Sequence, residues 1–190
     1  VSDGPEPLLR RGDLPFLAVP LVAGPVLVAL NAAGATALLG KPLQEQLGPP
    51  LLAVAALAWL LAWRRGGSPA ARWVFVLGLV LLAREINFDG ADLAFALAAL
   101  GLGAWAWAQR RRLLPAAREL PARGALLAVP LLYALAQLAD LRPVRIATGG
   151  IGRVSLEEPL ETIGHALFLL AGVEAAWVAR RRPFAAATSP

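Results

Sequence analysis

Residues 157–179 read EEPLETIGHALFLLAGVEAAWVA. Three carboxylates and the chain's only histidine lead straight into an apolar run, and the reading of that run decides the fold. Residues 159–179 have the length of roughly 20 predominantly apolar residues that a helix needs to cross a bilayer core of about 30 Å. On such a helix Glu157, Glu161 and His165 share one face, with His165 about 9 Å in from the start at about 1.5 Å per residue. Five more apolar stretches precede it, at 14–38, 49–63, 71–87, 91–108 and 124–140. With 58% hydrophobic and only 16% charged residues, against the usual globular charged share of about 25%, the chain departs from a soluble composition. The expectation is an all-α, polytopic membrane bundle of six transmembrane helices forming a single transmembrane domain over residues 1–190. The stretch at 49–63 is short, which leaves a re-entrant or mismatched second segment as the alternative.

The chain has seventeen Arg, one Lys, thirteen acidic residues and a net charge of +5. Its basic residues lie between the apolar stretches and form neither a face nor an aromatic-interleaved patch, so nucleic acid is not the expected partner. They report topology instead. Thirteen of the eighteen belong to the two termini and the second and fourth connections, and the positive-inside rule therefore puts both termini in the cytoplasm. Eight of the thirteen carboxylates belong to the opposite side. Trp59, Trp63, Trp73, Trp105, Trp107 and Trp177 all fall at helix ends assigned to the cytoplasmic side, where an aromatic belt would sit. The excess of Arg over Lys and the abundance of Ala point to a GC-rich bacterial source, hence to a bacterial inner membrane. Cysteine is absent, which removes disulfides, thiolate metal sites and cysteine nucleophiles.

Local signals refine this outline. Arg10 and Arg11 ahead of an apolar run imitate a signal peptide, with Ala33-Gly34-Ala35 as a weak cleavage site, but the run is long for a signal core and is expected to stay as the first helix. Gly48-Pro49-Pro50 reads as a break before a second helix without polar side chains. Asp89 and Asp92 suit the cap of the fourth helix, and Gly101 and Gly103 its close approach to a neighbour. Residues 107–123 hold five Arg among Leu113, Leu114 and Leu120, the composition of a segment lying along an anionic inner leaflet. Thr148-Gly149-Gly150-Ile151-Gly152 lacks the strand and helix of a phosphate loop and reads as a turn. Ser155 and Glu158 form a capping box ahead of the last helix.

Depth along the helices gathers the polar residues into one layer. At about 1.5 Å per residue, Glu85 lies about 21 Å from the inner end of its helix, Gln137 about 20 Å, His165 about 21 Å and Asn31 about 25 Å. Tyr133, Gln137 and Asp140 share a face of the fifth stretch. The first, third, fifth and sixth helices would then surround an outward polar cup of Asn31, Arg84, Glu85, Tyr133, Gln137, Asp140, Glu161 and His165, with the second and fourth outside it against lipid. Three readings of the cup stay open. It is an internal network with Arg84 paired to a carboxylate and His165 bonded to Glu161; a divalent-cation site on Glu85, Glu161 and His165; or a seat for a flat cofactor beside His165, between the small residues Gly164 and Ala166.

Arg84-Glu85 with Phe88-Asp89, together with Glu157-Glu158-x-x-Glu161, resembles a pattern in uncharacterised bacterial multi-pass inner-membrane proteins. The resemblance covers these two motifs and implies no activity. The intramembrane hydrolases that include alkaline ceramidases and adiponectin-type receptors need several histidines, and this chain has one. The expected function is therefore a non-enzymatic accessory subunit or small carrier, partnered by the lipid bilayer and by another membrane protein or a second copy, whose cup stabilises the bundle or binds a cation or small polar ligand. The alternative is a metal-dependent membrane enzyme acting at the outer leaflet, with Glu161 or Glu85 as general base and His165 as ligand or acid.

Overall fold

The computed structural model describes residues 11–35, 41–86, 90–141 and 156–181. Among them all regular structure is helical. A 3-10 turn at Arg11–Asp13 leads into α1 (Leu14–Ala32), followed by α2 (Lys41–Gly66), α3 (Pro69–Glu85), α4 (Ala91–Ala108), α5 (Arg110–Glu119), α6 (Arg123–Asp140) and α7 (Glu157–Arg181). The local chemistry explains several boundaries. Ser68 caps α3 by accepting from the Ala71 amide at 3.4 Å, and Pro69 follows at the position where a missing N–H costs nothing. Gly90 precedes α4 at φ 85°, a left-handed conformation that needs glycine. Leu120 is held extended by the following Pro121, and there the chain bends by 110° from α5 into α6.

α7 is the spine of the bundle. α2 packs along one side of it and α6 along another; α3 lies on α2, α4 on α3, and α1 on α6. Trp59, Leu52, Leu132 and Phe168 fill the centre, each less than 2% exposed. Lipid tails are as apolar as Leu, so in a membrane this core gains from close packing and from satisfied polar groups, not from leaving water. Two glycines permit the closeness. Gly78 faces the Phe168 ring, and a Cβ on Gly172 would stand 2.9 Å from Trp59 Nε1, which donates to the Phe168 carbonyl at 3.2 Å.

The outside is apolar. Leu21, Leu100 and Leu93 are 77%, 71% and 67% exposed, large apolar side chains of the kind that lipid, not water, would cover. Three helices, α1, α2 from Pro42 and α7, are long and apolar enough to cross a membrane, and a fourth span results if α5 and α6 count as one bent segment. α3 carries three charges, Arg72, Arg84 and Glu85, and only the Leu93–Ala108 part of α4 is apolar.

Several expectations are corrected. The second helix begins at Lys41 and passes through Gly48-Pro49-Pro50 without a break. Two prolines remove two ladder bonds, but burial of Leu52, Ala55 and Trp59 to 0% exposure fixes the path against α7, and membrane bundles tolerate Pro where neighbours hold the helix. α2 thus contributes one face to the core while Val54 and Leu57 stay exposed on another, and it brings the buried Gln44 with it. Trp59 is core instead of belt, whereas Trp107 and Trp177 are exposed. α1 ends at Ala32 rather than 38. α4 does lie outside, on α3, but Gly101 and Gly103 face open space, so no helix uses them for close approach. Asp89, Phe88, the glycine-rich turn at 148–152 and Ser155 lie outside the described residues.

Candidate functional site

The last turn of α3, the middle of α6 and the first two turns of α7 bring five of the eight expected residues together. Arg84 Nη1 donates to Glu161 Oε1 at 3.1 Å, with the two side chains 28% and 9% exposed. The guanidinium also stands 5.6 Å from the centroid of Phe95 on α4. Glu85 sits beside this pair, its Oε1 3.9 Å from His165 Nε2. That distance is too long for a hydrogen bond. The Tyr133 ring packs against the imidazole at 5.7 Å, tilted by 56°.

The cluster is incompletely bonded. His165 is 2% exposed, and among the described residues neither ring nitrogen has a hydrogen-bond partner; nor does the buried Tyr133 hydroxyl. Each unsatisfied buried group costs about 1–3 kcal/mol. A neutral imidazole offers one donor and one acceptor and a phenol offers both.

The remaining expected residues are placed elsewhere. Gln137 Nε2 donates to Glu157 Oε1 at 3.4 Å on the exposed rim, and Asp140 is exposed at the end of α6. Asn31 is half-buried on α1, which packs on α6 rather than on α2 or α3; α1 does not line the cup. α2 takes its place through backbone. A Cβ on Gly48 would come within 2.8 Å of Glu85 Oε2 and 3.6 Å of His165 Cε1.

Arg84 engages the Glu161 carboxylate, and among the described residues no three His, Cys, Asp or Glu side chains gather closely enough to hold a metal. Of the internal network expected for the cup, the Arg84–carboxylate pair is present, whereas the nearest carboxylate to His165 is Glu85, not Glu161. Beside Gly164 the Tyr133 ring stands 3.5 Å from the position of a Cβ, in ordinary van der Waals contact.

Two features escaped the sequence. The first is a cleft of about 990 Å³ between α3 and α6, with Phe168 at its back and α5 across its far end. Arg84, Tyr133 and Gln137 stand at one end; Arg118 and Arg123 stand at the other. The second is a saturated ion pair at the start of α6, where Arg123 Nε donates to Asp13 Oδ2 at 2.9 Å and the Gly124 amide to Asp13 Oδ1 at 3.1 Å. Opposite charges at the starts of two helices are the available signal. Comparison of the chain with protein-family models, with curated proteins and with solved structures found no match.

Proposed function

We propose that the chain is an integral protein of a bacterial inner membrane, with six spans and both termini in the cytoplasm, acting as a small carrier or accessory subunit that binds a small polar ligand at the Tyr133–His165 cluster. The observation that carries this reading is the trio of buried, unpaired polar atoms on Tyr133 and His165 beside Glu85. A bundle selected only for stability would have closed those groups with partners or replaced them with apolar side chains, because an unsatisfied group weakens the fold. Alternating basic connections support the topology, and another membrane protein or a second copy would complete an accessory role.

Two measurements on one pair of proteins test it. Wild type and His165→Leu are purified gently from native membranes, screened by mass spectrometry for a co-purifying small molecule, and compared in thermal unfolding. A ligand present near one per chain in wild type and lost in His165→Leu supports the reading. No ligand on wild type, or one retained equally by His165→Leu, would sink it, as would a large loss of stability in His165→Leu. A reporter fused after Pro190 should read cytoplasmic, and a periplasmic signal would overturn the topology.

A further inference from the structure

The cleft between α3 and α6 ends at a helix unlike the other six. α5 carries four Arg against one Glu, and Arg110, Arg111, Arg112 and Arg118 are all exposed. Leu113, Leu114 and Ala117 of the same helix line the cleft. α5 turns through 110° into α6, so its apolar side closes the cleft with Arg118 at the mouth. A helix divided this way lies in the interface between headgroups and acyl chains.

The charges inside the cleft are not equivalent. Arg84 is neutralised by Glu161, and Arg123 by Asp13. Arg123 Nη1 also donates to the Arg118 carbonyl at 3.0 Å, which ties the backbone of Arg118 to the cleft floor while its side chain remains exposed at the mouth. The walls between the two ends are apolar, with Trp73, Leu77, Phe95, Leu126 and Val129 among them. A volume of about 990 Å³ stands at the upper limit of roughly 300–1,000 Å³ for small-molecule sites. A long apolar chain fits the walls, and an anionic head fits the mouth.

We infer that this cleft is a built site for one anionic phospholipid, with its phosphate at Arg118 and its acyl chain running between α3 and α6 towards Tyr133. The inference is independent of what the His165 cluster holds. Charge complementarity selects the head, because a zwitterionic lipid would gain the same walls but little from the α5 charges. Occupation would also brace α3 against α6, which otherwise face each other across the cleft.

The test uses the full chain in neutral detergent, with phosphatidylglycerol or phosphatidylcholine added and the retained lipid counted by native mass spectrometry. One phosphatidylglycerol per chain should survive, in preference to phosphatidylcholine. Arg118→Glu should weaken retention by about fivefold or more, as expected for loss of a basic residue worth about 1 kcal/mol and its replacement by an acid. Arg111→Glu, on the same helix but outside the cleft lining, should weaken it less. Ala134→Phe, a change on the exposed cleft wall, should displace the chain and abolish retention without touching the core. Phosphatidylglycerol brominated along its chains should quench wild-type fluorescence through Trp73, and Trp73→Phe should lose part of that quenching. Equal retention of the two lipids would mean annular solvation only. Equal losses from Arg111→Glu and Arg118→Glu would mean general attraction to α5. A dimer that excludes lipid would mean that a second copy fills the cleft. Any of these three results overturns the inference.

Discussion

Among the described residues two polar clusters lie against α6, one at its start and one at its middle, and they are finished differently. At the start of α6, Asp13 and Arg123 are 4% and 6% exposed and bonded to each other. Asp13 also accepts from the Gly124 amide, and Arg123 donates to a carbonyl. Farther along, Tyr133 and His165 are buried with unpaired atoms beside a carboxylate that stays just out of reach. Both sets of groups are removed from solvent, so the difference is not burial. It is saturation. A saturated cluster ties the chain segment before α1 to α6 and has no capacity left for a ligand, whereas an unsaturated one keeps hydrogen-bonding capacity at a cost in stability.

The comparison breaks most easily at its closed end. Asp13→Ala strands the Arg123 charge and should cost about 3–5 kcal/mol in thermal unfolding. A loss no larger than that of Arg84→Ala would erase the distinction. Arg84→Ala removes a more exposed partner from Glu161 and should cost less, about 1.5–3 kcal/mol, the range of hydrogen bonds to charged groups. Gly124→Ala should follow at about 1–3 kcal/mol, since its Cβ would lie 2.7 Å from the backbone of Asp13. The smallest effect belongs to His165→Leu. It should fall within about 1 kcal/mol of wild type, on the stabilising side if anything, because it deletes two unsatisfied nitrogens. A large loss there would place His165 among the structural groups and reunite the two clusters.

Legibility varied with the range of the interactions involved. The bounds of α4 and α6 follow closely from where apolar runs begin and end, and residues 91–108 were marked as they stand. The Arg110–Glu119 helix lies within residues 107–123, which the sequence presents as a basic, leucine-bearing segment along the membrane surface and not as one of the expected helices. Gly48-Pro49-Pro50 misled because the local preference of those residues is a break, while the packing that overrides it comes from α7, over a hundred residues away. That single misreading moved α2 out of the core and hid Gly48 from the site. Helical spacing put Glu161 and His165 on one face correctly, but it could not say that Arg84 would claim Glu161 and leave His165 unpaired.

What the sequence determined alone is what depends on composition and on neighbours within a turn: an all-helical chain, apolar outside, with its polar groups concentrated at helix ends and a basic amphipathic segment before α6. Hydrophobic content and 3.6-residue spacing are local quantities and can be read along a line. Only the tertiary structure decided that α7 is the spine, that α2 and not α1 backs the polar cluster, that Asp13 closes on Arg123, and that α3 and α6 part to leave a cleft. Those outcomes rest on which side chains fill which gaps between helices, and that complementarity exists only once all the helices are in place.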